Sequence, residues 1–402
     1  MPSLTLTNAR IFYGDRPALS SATALRIEDG VIAEISARIA AKTDRTIDLG
    51  GQVLMPGLID AHFHAYAAEA DIAHVETLPL SYLAHHGAAL LKGALMRGFT
   101  TVRDAAGADW GLWKAIQDGL IQAPRLFYSG RALSQTGGHG DSRAQHLEPC
   151  NCRFIANLSE VADGVDQVRA SAREALRRGA HQLKIFVSGG VVSPTDPIWM
   201  TQYSDAEITA AVEEAASRRT YVMAHAYTNE SIIRAVRCGV RSIEHGNLLE
   251  AGGAAVMAEH GAFLVPTLIT YEALSQTNAG LPPASQAKLR EVAQAGGEAV
   301  KLARAAGVQI GLGTDLLGAM HPRQLHEFRL RGEVDTPFEV LRSATSVNAR
   351  LLNQEGRLGV VRVGAAADLI VVEGEPLSDL RPMWDGGIGM VIRAGEIVRG
   401  DA

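Results

Sequence analysis

The chain has 402 residues, 47% of them hydrophobic and 20% charged, with a formal net charge of −6. That length and apolar content call for a large buried core, and a barrel enzyme with a minor appended domain is an ordinary solution at this size. No Lys/Arg block tracks a phosphate backbone, and every long apolar run is broken well short of the roughly 20 residues that a spanning helix needs, so neither nucleic acid nor a membrane is an expected partner.

Residues Met1 to Thr7 alternate like a strand, without the charged and apolar segments of a signal peptide. The cytoplasm is therefore the default compartment, although a leader trimmed beforehand would leave no trace. Three cysteines, Cys150, Cys152 and Cys238, make no disulfide framework in a chain this long. Cys150-Asn151-Cys152 has no second pair to complete a thiolate metal site and reads as a loop dipeptide. The first fifty residues read as short strands parted by turns at Tyr13-Gly14-Asp15 and Glu28-Asp29-Gly30. The last segment, from Gly359 to Val398, has the same character. The expectation is one small β-sandwich formed by residues 1–55 and 357–402, since chain ends commonly lie close together.

Between these ends strand-like and helix-like segments alternate. The apolar run Val53 to Ile59 leads into Asp60-Ala61-His62-Phe63-His64, and a helical pattern from Tyr82 to Arg97 stops at Gly98. Strands are read at Phe99–Asp104, Arg125–Ser129, Gln182–Val187, Tyr221–His225, Ser242–His245, Phe263–Thr267 and Val308–Asp315, each followed by a helix. Ser204-Asp205-Ala206-Glu207 is a capping box, and Thr336-Pro337-Phe338-Glu339 gives an N-cap, a first-turn proline and an acid at the third position. Eight strand–helix units predict a parallel (β/α)8 TIM barrel over 56–356, with its chemistry at the C-terminal rim of the strands. A doubly wound open sheet is the alternative, but no Gly-x-Gly-x-x-Gly follows an early strand.

The barrel reading turns scattered polar residues into one constellation. In extended geometry alternate side chains share a face, so His62 and His64 can grip one cation, though a lone pair of this kind serves equally as a polar rim. Strand 4 carries Lys184 in an apolar run, strand 5 ends in His225, strand 6 in His245 and strand 8 in Asp315. Singly, each has a bland explanation; six together on the predicted chemical face point to a metal site. Asp60 reads as a support for the pair, or as a strand-end carboxylate bonded to backbone.

The Gly-x-x-Asp-x-His-x-His form of residues 57–64, the strand 4 lysine, the two later histidines and the Asp of Gly313-Thr314-Asp315 resemble the amidohydrolase superfamily, over essentially the whole chain. The resemblance is to its binuclear members. It implies two divalent ions, Zn by default with Mn or Co as alternatives, and a Lys184 carboxylated on its amine to bridge them. His62, His64 and Asp315 would hold one ion, and His225 and His245 the other. Two such ions would acidify a bridging water and polarise a carbonyl, with Asp315 passing the proton to the leaving nitrogen.

Within the superfamily, Gly137-Gly138-His139-Gly140-Asp141, Val187-Ser188-Gly189-Gly190-Val191, His225-Ala226-Tyr227 and Glu244-His245-Gly246 are similar to the prolidase-like and Xaa-Arg dipeptidases and the ochratoxin amidohydrolases. By that resemblance His139 and Tyr227 would approach the scissile carbonyl oxygen. The amides of Ser188, Gly189 and Gly190 are candidates for a substrate carboxylate, His321 and Arg323 for the substrate's end, and Trp199 and Met200 for an apolar wall. The expected reaction is hydrolysis of a dipeptide or N-acyl amino acid with release of its C-terminal residue. Alternatives are a xenobiotic amide or carbamate, a mononuclear deaminase, and a non-catalytic scaffold on the same fold. The partner is a small molecule with a carboxylate; a homo-oligomer is allowed, but the sequence does not set the oligomeric state.

Overall fold

The computed structural model describes residues 3–21, 23–143, 158–193, 195–276 and 283–400. Cys150, Cys152 and the rest of residues 144–155 thus lie outside the described residues. The two ends of the chain meet in one strand system. Leu369–Val372 pairs antiparallel with Val53–Pro56 on one side and with Ile388–Arg393 on the other, and Ile388–Arg393 continues to Glu396–Arg399. Leu4–Ile11 pairs with Thr23–Glu28 and Arg45–Asp48 through its first half, and with Val53–Pro56 through its last residues. The switch between the two layers occurs at a register shift between Leu6 and Ala9, where Asn8 has φ +53°. A bulge of this kind lets one strand serve both layers of a sandwich. Leu6, Leu25, Ile27, Leu54, Leu369 and Ile392 fill the space between them.

Val53–Pro56 runs directly into the barrel. Its strands are Leu58–Phe63, Phe99–Asp104, Arg125–Tyr128 extended by Ala132–Ser134, Leu183–Phe186, Val222–Thr228, Ser242–Leu248, Phe263–Val265 and Gln309–Ile310, with parallel pairings throughout. Strand 3 is broken at Gly130, φ +73°, so that its first half pairs with strand 2 and its second with strand 4. Backbone hydrogen bonds complete the ring: His181 N–H to Tyr128 O at 2.8 Å on one side, and Ala61 N–H to Leu312 O at 2.9 Å with Asp315 N–H to His62 O at 2.8 Å on the other. The cylinder is closed and its strands point one way, which brings all their C-terminal ends to one rim.

Strand 8 is shorter than the expected Val308–Asp315. A Cβ on Gly311 would stand 2.4 Å from Asn348 Oδ1, and one on Gly313 2.7 Å from His62 Cβ. The Asn348 side chain replaces the missing ladder, donating to Ile59 O at 2.7 Å and Leu312 O at 2.8 Å. Asn348 follows a π-helical turn, Ser343–Val347, that no sequence pattern announced. The helix expected after strand 7 is two helices, Leu268–Gln276 and Pro283–Ala305. Both cap signals hold: Ser204 and Glu207 bond reciprocally, and Thr336 caps a helix that begins with Pro337. Among the described residues no helix is long and apolar enough to cross a membrane.

Candidate metal centre

All six strand-end positions line one cavity of about 440 Å³ at the C-terminal rim. Asp60 fixes the end of strand 1 to the end of strand 8. It accepts the N–H groups of His62 (3.0 Å) and Thr314 (3.1 Å), the Thr314 hydroxyl (2.6 Å) and the Gln324 amide (2.8 Å). Burial raises its pKa to about 6 against those hydrogen bonds. Its support of the pair therefore runs through backbone rather than through an imidazole.

Two site residues adopt left-handed backbone, His245 at φ +72° and Asp315 at φ +51°. Such conformations are uncommon for non-glycine residues and persist where surrounding structure imposes them. Here Asp315 N–H donates to His62 O at 2.8 Å, and His245 Nδ1 meets Thr267 Oγ1 at 2.8 Å.

The hydrogen bonds of the rings select their tautomers. Glu244 and backbone carbonyls accept only, so His62 Nδ1–H donates to Glu244 Oε2 (2.7 Å), His64 Nδ1–H to Ala106 O (3.3 Å) and His225 Nε2–H to Gly189 O (3.1 Å). His62 and His225 each keep one bare nitrogen, while His64 Nε2 faces Asp315. Asp315 Oδ1 lies 3.4 Å from Nε2 of His62 and 3.1 Å from Nε2 of His64, and its other oxygen lies 3.9 Å from His245 Nδ1. Ligand atoms of His62, His245 and Asp315 fall within 4.8 Å of one another, close enough to hold one ion. The rings of His225 and His245 are 4.7 Å apart, which adds a further nitrogen beside that group.

Electrostatics agree with the donor set. Burial first, then neighbouring cationic groups, holds His62, His225 and His245 well below the usual imidazole range, as neutral ligands require. For His64 burial is overcome by the hydrogen bond and charge of Asp315, which lift its pKa. Burial would raise Asp315, but His62, His64 and Lys184 hold it down as a carboxylate. Lys184 is 2% exposed, and burial lowers its pKa to about 8. The neutral imidazoles of His62, His225 and His245, with their second nitrogens tied to oxygen, fit a first-row divalent metal such as zinc together with the Asp315 carboxylate. A buried ammonium beside them does not fit, and the lowered pKa makes the neutral amine accessible.

His139 and Tyr227 stand on the cavity wall. The His139 ring stacks on His225 at 4.3 Å between centroids, and its Nδ1 is 2.6 Å from Ser193 Oγ. Tyr227 is buried and accepts a hydrogen bond at 3.2 Å from the hydroxyl of Tyr271, itself on the wall.

The other substrate contacts expected from sequence are corrected. Gly189 N–H donates to Met200 O and Gly190 N–H to Asp196 Oδ2, both at 2.9 Å, so these amides are spent inside the loop. The Ser188 hydroxyl accepts Tyr227 N–H and donates to Gly189 O, and the residue does not line the cavity. The two glycines are required sterically: a Cβ on Gly189 would meet Pro197 O at 1.9 Å, and one on Gly190 the His139 ring at 2.0 Å. His321 is 1% exposed against Phe63 and does not line the cavity; Arg323 lies outside it, bonded to Gln276. Trp199 is 75% exposed and forms no part of the wall.

Sequence reading assigned no role to Glu244, Arg103, Asp104 or Tyr271. Asp104, raised to about 7 by burial, accepts Ala65 N–H (2.7 Å) and Ala108 N–H (3.1 Å), fixing the chain just after His64. Arg103 and Asp104 are polar residues closing a buried strand, as the histidines close theirs. Tyr271 lies on a helix after strand 7 and carried no comparable mark.

The same architecture recurs in known proteins. Ochratoxinase of Aspergillus niger is 34% identical over 403 aligned residues, covering 93% of this chain and 84% of that one. The crystal structure of a prolidase complexed with N-methylphosphonate-L-proline is 47% identical with a TM-score of 0.96, covering 99% of this chain and 100% of that one. A crystal structure of an amidohydrolase is 45% identical with a TM-score of 0.96, covering 99% of each. The amidohydrolase family pattern matches residues 53–398, and with this barrel, this sandwich and these relatives the chain belongs to the amidohydrolase family, hydrolases acting on C–N bonds.

Proposed function

We propose that the protein hydrolyses the amide bond of dipeptides or N-acyl amino acids and releases the C-terminal residue. The observation that carries this reading is the convergence of His62, His64, Lys184, His225, His245 and Asp315 on one cavity floor, with His139 and Tyr227 on the wall above. The prolidase neighbour supports it, because a phosphonate on the proline nitrogen mimics a tetrahedral adduct at a peptide carbonyl. The catalytic unit is 56–356, with 1–55 and 357–402 as its supporting sandwich.

His62, His64 and Asp315 would hold one divalent ion, and His225 and His245 a second, with Lys184 between them as its carbamate. When bound, such ions, zinc by default, acidify a water and polarise a carbonyl. Asp315 takes the proton of the attacking water and delivers it to the departing nitrogen, which as an amide anion would not leave. His139 and the Tyr227 hydroxyl donate to the carbonyl oxygen as negative charge builds there. The apolar side of the cavity, including Ile72, Leu158, Val191, Leu274 and Leu317, suits an uncharged acyl group or side chain. That lining, with the Aspergillus relative, also supports a second reading, a bulky aromatic amide of the ochratoxin type.

The test is a library of dipeptides, N-acyl amino acids and ochratoxin A given to metal-loaded enzyme, alongside metal analysis. Turnover with about two ions per chain is expected. No cleavage of any dipeptide or N-acyl amino acid would refute the main reading; one ion per chain would favour a deaminase, and none a scaffold.

A further inference from the structure

The loop after strand 4 is held by a residue from a distant helix. Lys288, near the start of Pro283–Ala305, donates from Nζ to Gly190 O (2.9 Å), Ser193 O (3.1 Å) and Asp196 O (2.6 Å). An ammonium has three donors, and all three are used on carbonyls of one short segment. The same segment makes the seat of His139. Gly190 leaves the space occupied by the ring, Ser193 Oγ lies 2.6 Å from Nδ1, and the buried Asp196 carboxylate lies 3.5 Å from Nδ1. Asp196 Oδ2 also accepts Gly190 N–H (2.9 Å) and Gln202 Nε2 (3.3 Å), while Gln202 Oε1 accepts His139 N–H (3.0 Å). The ring is gripped at its backbone, at Nδ1 and on one face, and only Nε2 is left for a substrate.

We propose that Lys288 is a positioning residue for His139: by pinning Gly190, Ser193 and Asp196 it sets Ser193 and Asp196 against Nδ1 and so aims Nε2 into the cavity. This rests on the reading that His139 acts on the substrate carbonyl. Lys288 itself touches no reacting atom. Displacing a catalytic group by about 1 Å can cost on the order of 100-fold in rate, so a clamp outside the site can govern turnover.

The experiment is a double-mutant cycle of Lys288→Met and His139→Ala in metal-loaded enzyme, on the fastest dipeptide or N-acyl amino acid of the library. Lys288→Met should lower kcat/KM by roughly 10- to 100-fold, chiefly through kcat, and should cost under about twofold more once His139 is gone. Losses that simply multiply would overturn the proposal. A second arm needs no substrate: ¹⁵N spectra of the metal-free protein, with the His139 signals assigned by their loss in His139→Ala. A single ring signature with Nε2 protonated, Nδ1 facing the Ser193 hydroxyl, is expected in the parent and a mixture in Lys288→Met; an unchanged ring signature would also overturn it. Lys288→Gln, which keeps two donors on a shorter stem, serves in both arms if the Met variant does not fold, with a smaller loss expected. Full turnover by His139→Ala would refute the role of His139 in catalysis, and the spectra would then decide separately whether Lys288 sets its ring.

Discussion

Glu244 Oε2 lies 2.7 Å from Nδ1 of His62, with both side chains sealed from solvent. The same carboxylate receives Arg103 at 2.8 and 3.0 Å and the Ser242 hydroxyl, and Arg103 also donates to Ala61 O at 2.6 Å. Glu244 thus orients a candidate ligand and neutralises a buried guanidinium. Glu244→Gln keeps the shape and removes the charge, leaving Arg103 without a counter-ion. The loss should be about 3–5 kcal/mol in urea denaturation of the metal-free protein. Zinc affinity, by competition with a chelator, should fall roughly 10- to 100-fold. An unchanged midpoint and an unchanged affinity would show that the carboxylate's charge does neither job.

Lys184 gives a prediction with a built-in control. Lys184→Ala should lose roughly 100-fold or more of its activity and regain part of it with added short-chain carboxylic acid, which can occupy the place of a carbamate. Full activity in the variant would sink the bridging role. Carbamate forms from the neutral amine, and burial lowers the pKa to about 8. Reactivation of metal-free enzyme by zinc and bicarbonate should therefore quicken as pH rises toward 8 and slow below it, measured at constant dissolved carbon dioxide.

The ligand constellation was legible because a barrel has a rim: once eight strands were counted, His62, His64, Lys184, His225, His245 and Asp315 were on one face by topology alone. The sandwich was legible for a similar reason, in that alternation at both ends implied one shared layer. What could not be read was the use of donors inside loops. Gly189 and Gly190 look like an anion cradle in sequence, but Met200 and Asp196 take their amides, partners fixed by how the loop folds back. Lys288 stands 92 residues from Asp196, and no spacing rule links a helix after strand 7 to a loop after strand 4. Strand 8 was overextended because a side chain, Asn348, supplies bonds that a ladder would otherwise make.

Tyr271 donates its hydroxyl hydrogen to Tyr227 at 3.2 Å, which leaves the Tyr227 proton available to a substrate oxygen in the cavity. Burial raises the pKa of both phenols, Tyr271 further through its partner, so both stay protonated across the working range. Tyr227→Phe should lower kcat by roughly 10- to 100-fold with little change in KM, since the donated bond strengthens as the oxyanion forms. Tyr271→Phe removes only the orienting partner and should cost under about tenfold. A larger loss in Tyr271→Phe than in Tyr227→Phe would reverse the assignment and make Tyr271 the donor.

Glu327 supplies a prediction about pH and stability, away from the chemistry. It is fully buried on the helix His326–Gly332, with Oε2 accepting Ile269 N–H at 2.7 Å. Burial pushes its pKa up to about 8, against Arg331 and the backbone donors, so the folded protein holds a proton that the unfolded chain releases near 4.5. A raised folded pKa contributes stability fully present below the unfolded value and lost as pH climbs through the folded one. Stability of the metal-free protein should accordingly fall from pH 4.5 to 8 through this group, with Asp104 and Asp60, raised to about 7 and about 6, acting in the same direction. Glu327→Gln remains neutral, so its urea midpoint should vary less between pH 5 and pH 9. At pH 9 its unfolding free energy should exceed that of the parent by on the order of a few kcal/mol. A variant less stable than the parent at pH 9 would mean that the charged carboxylate is paired, with Arg331 overcoming burial.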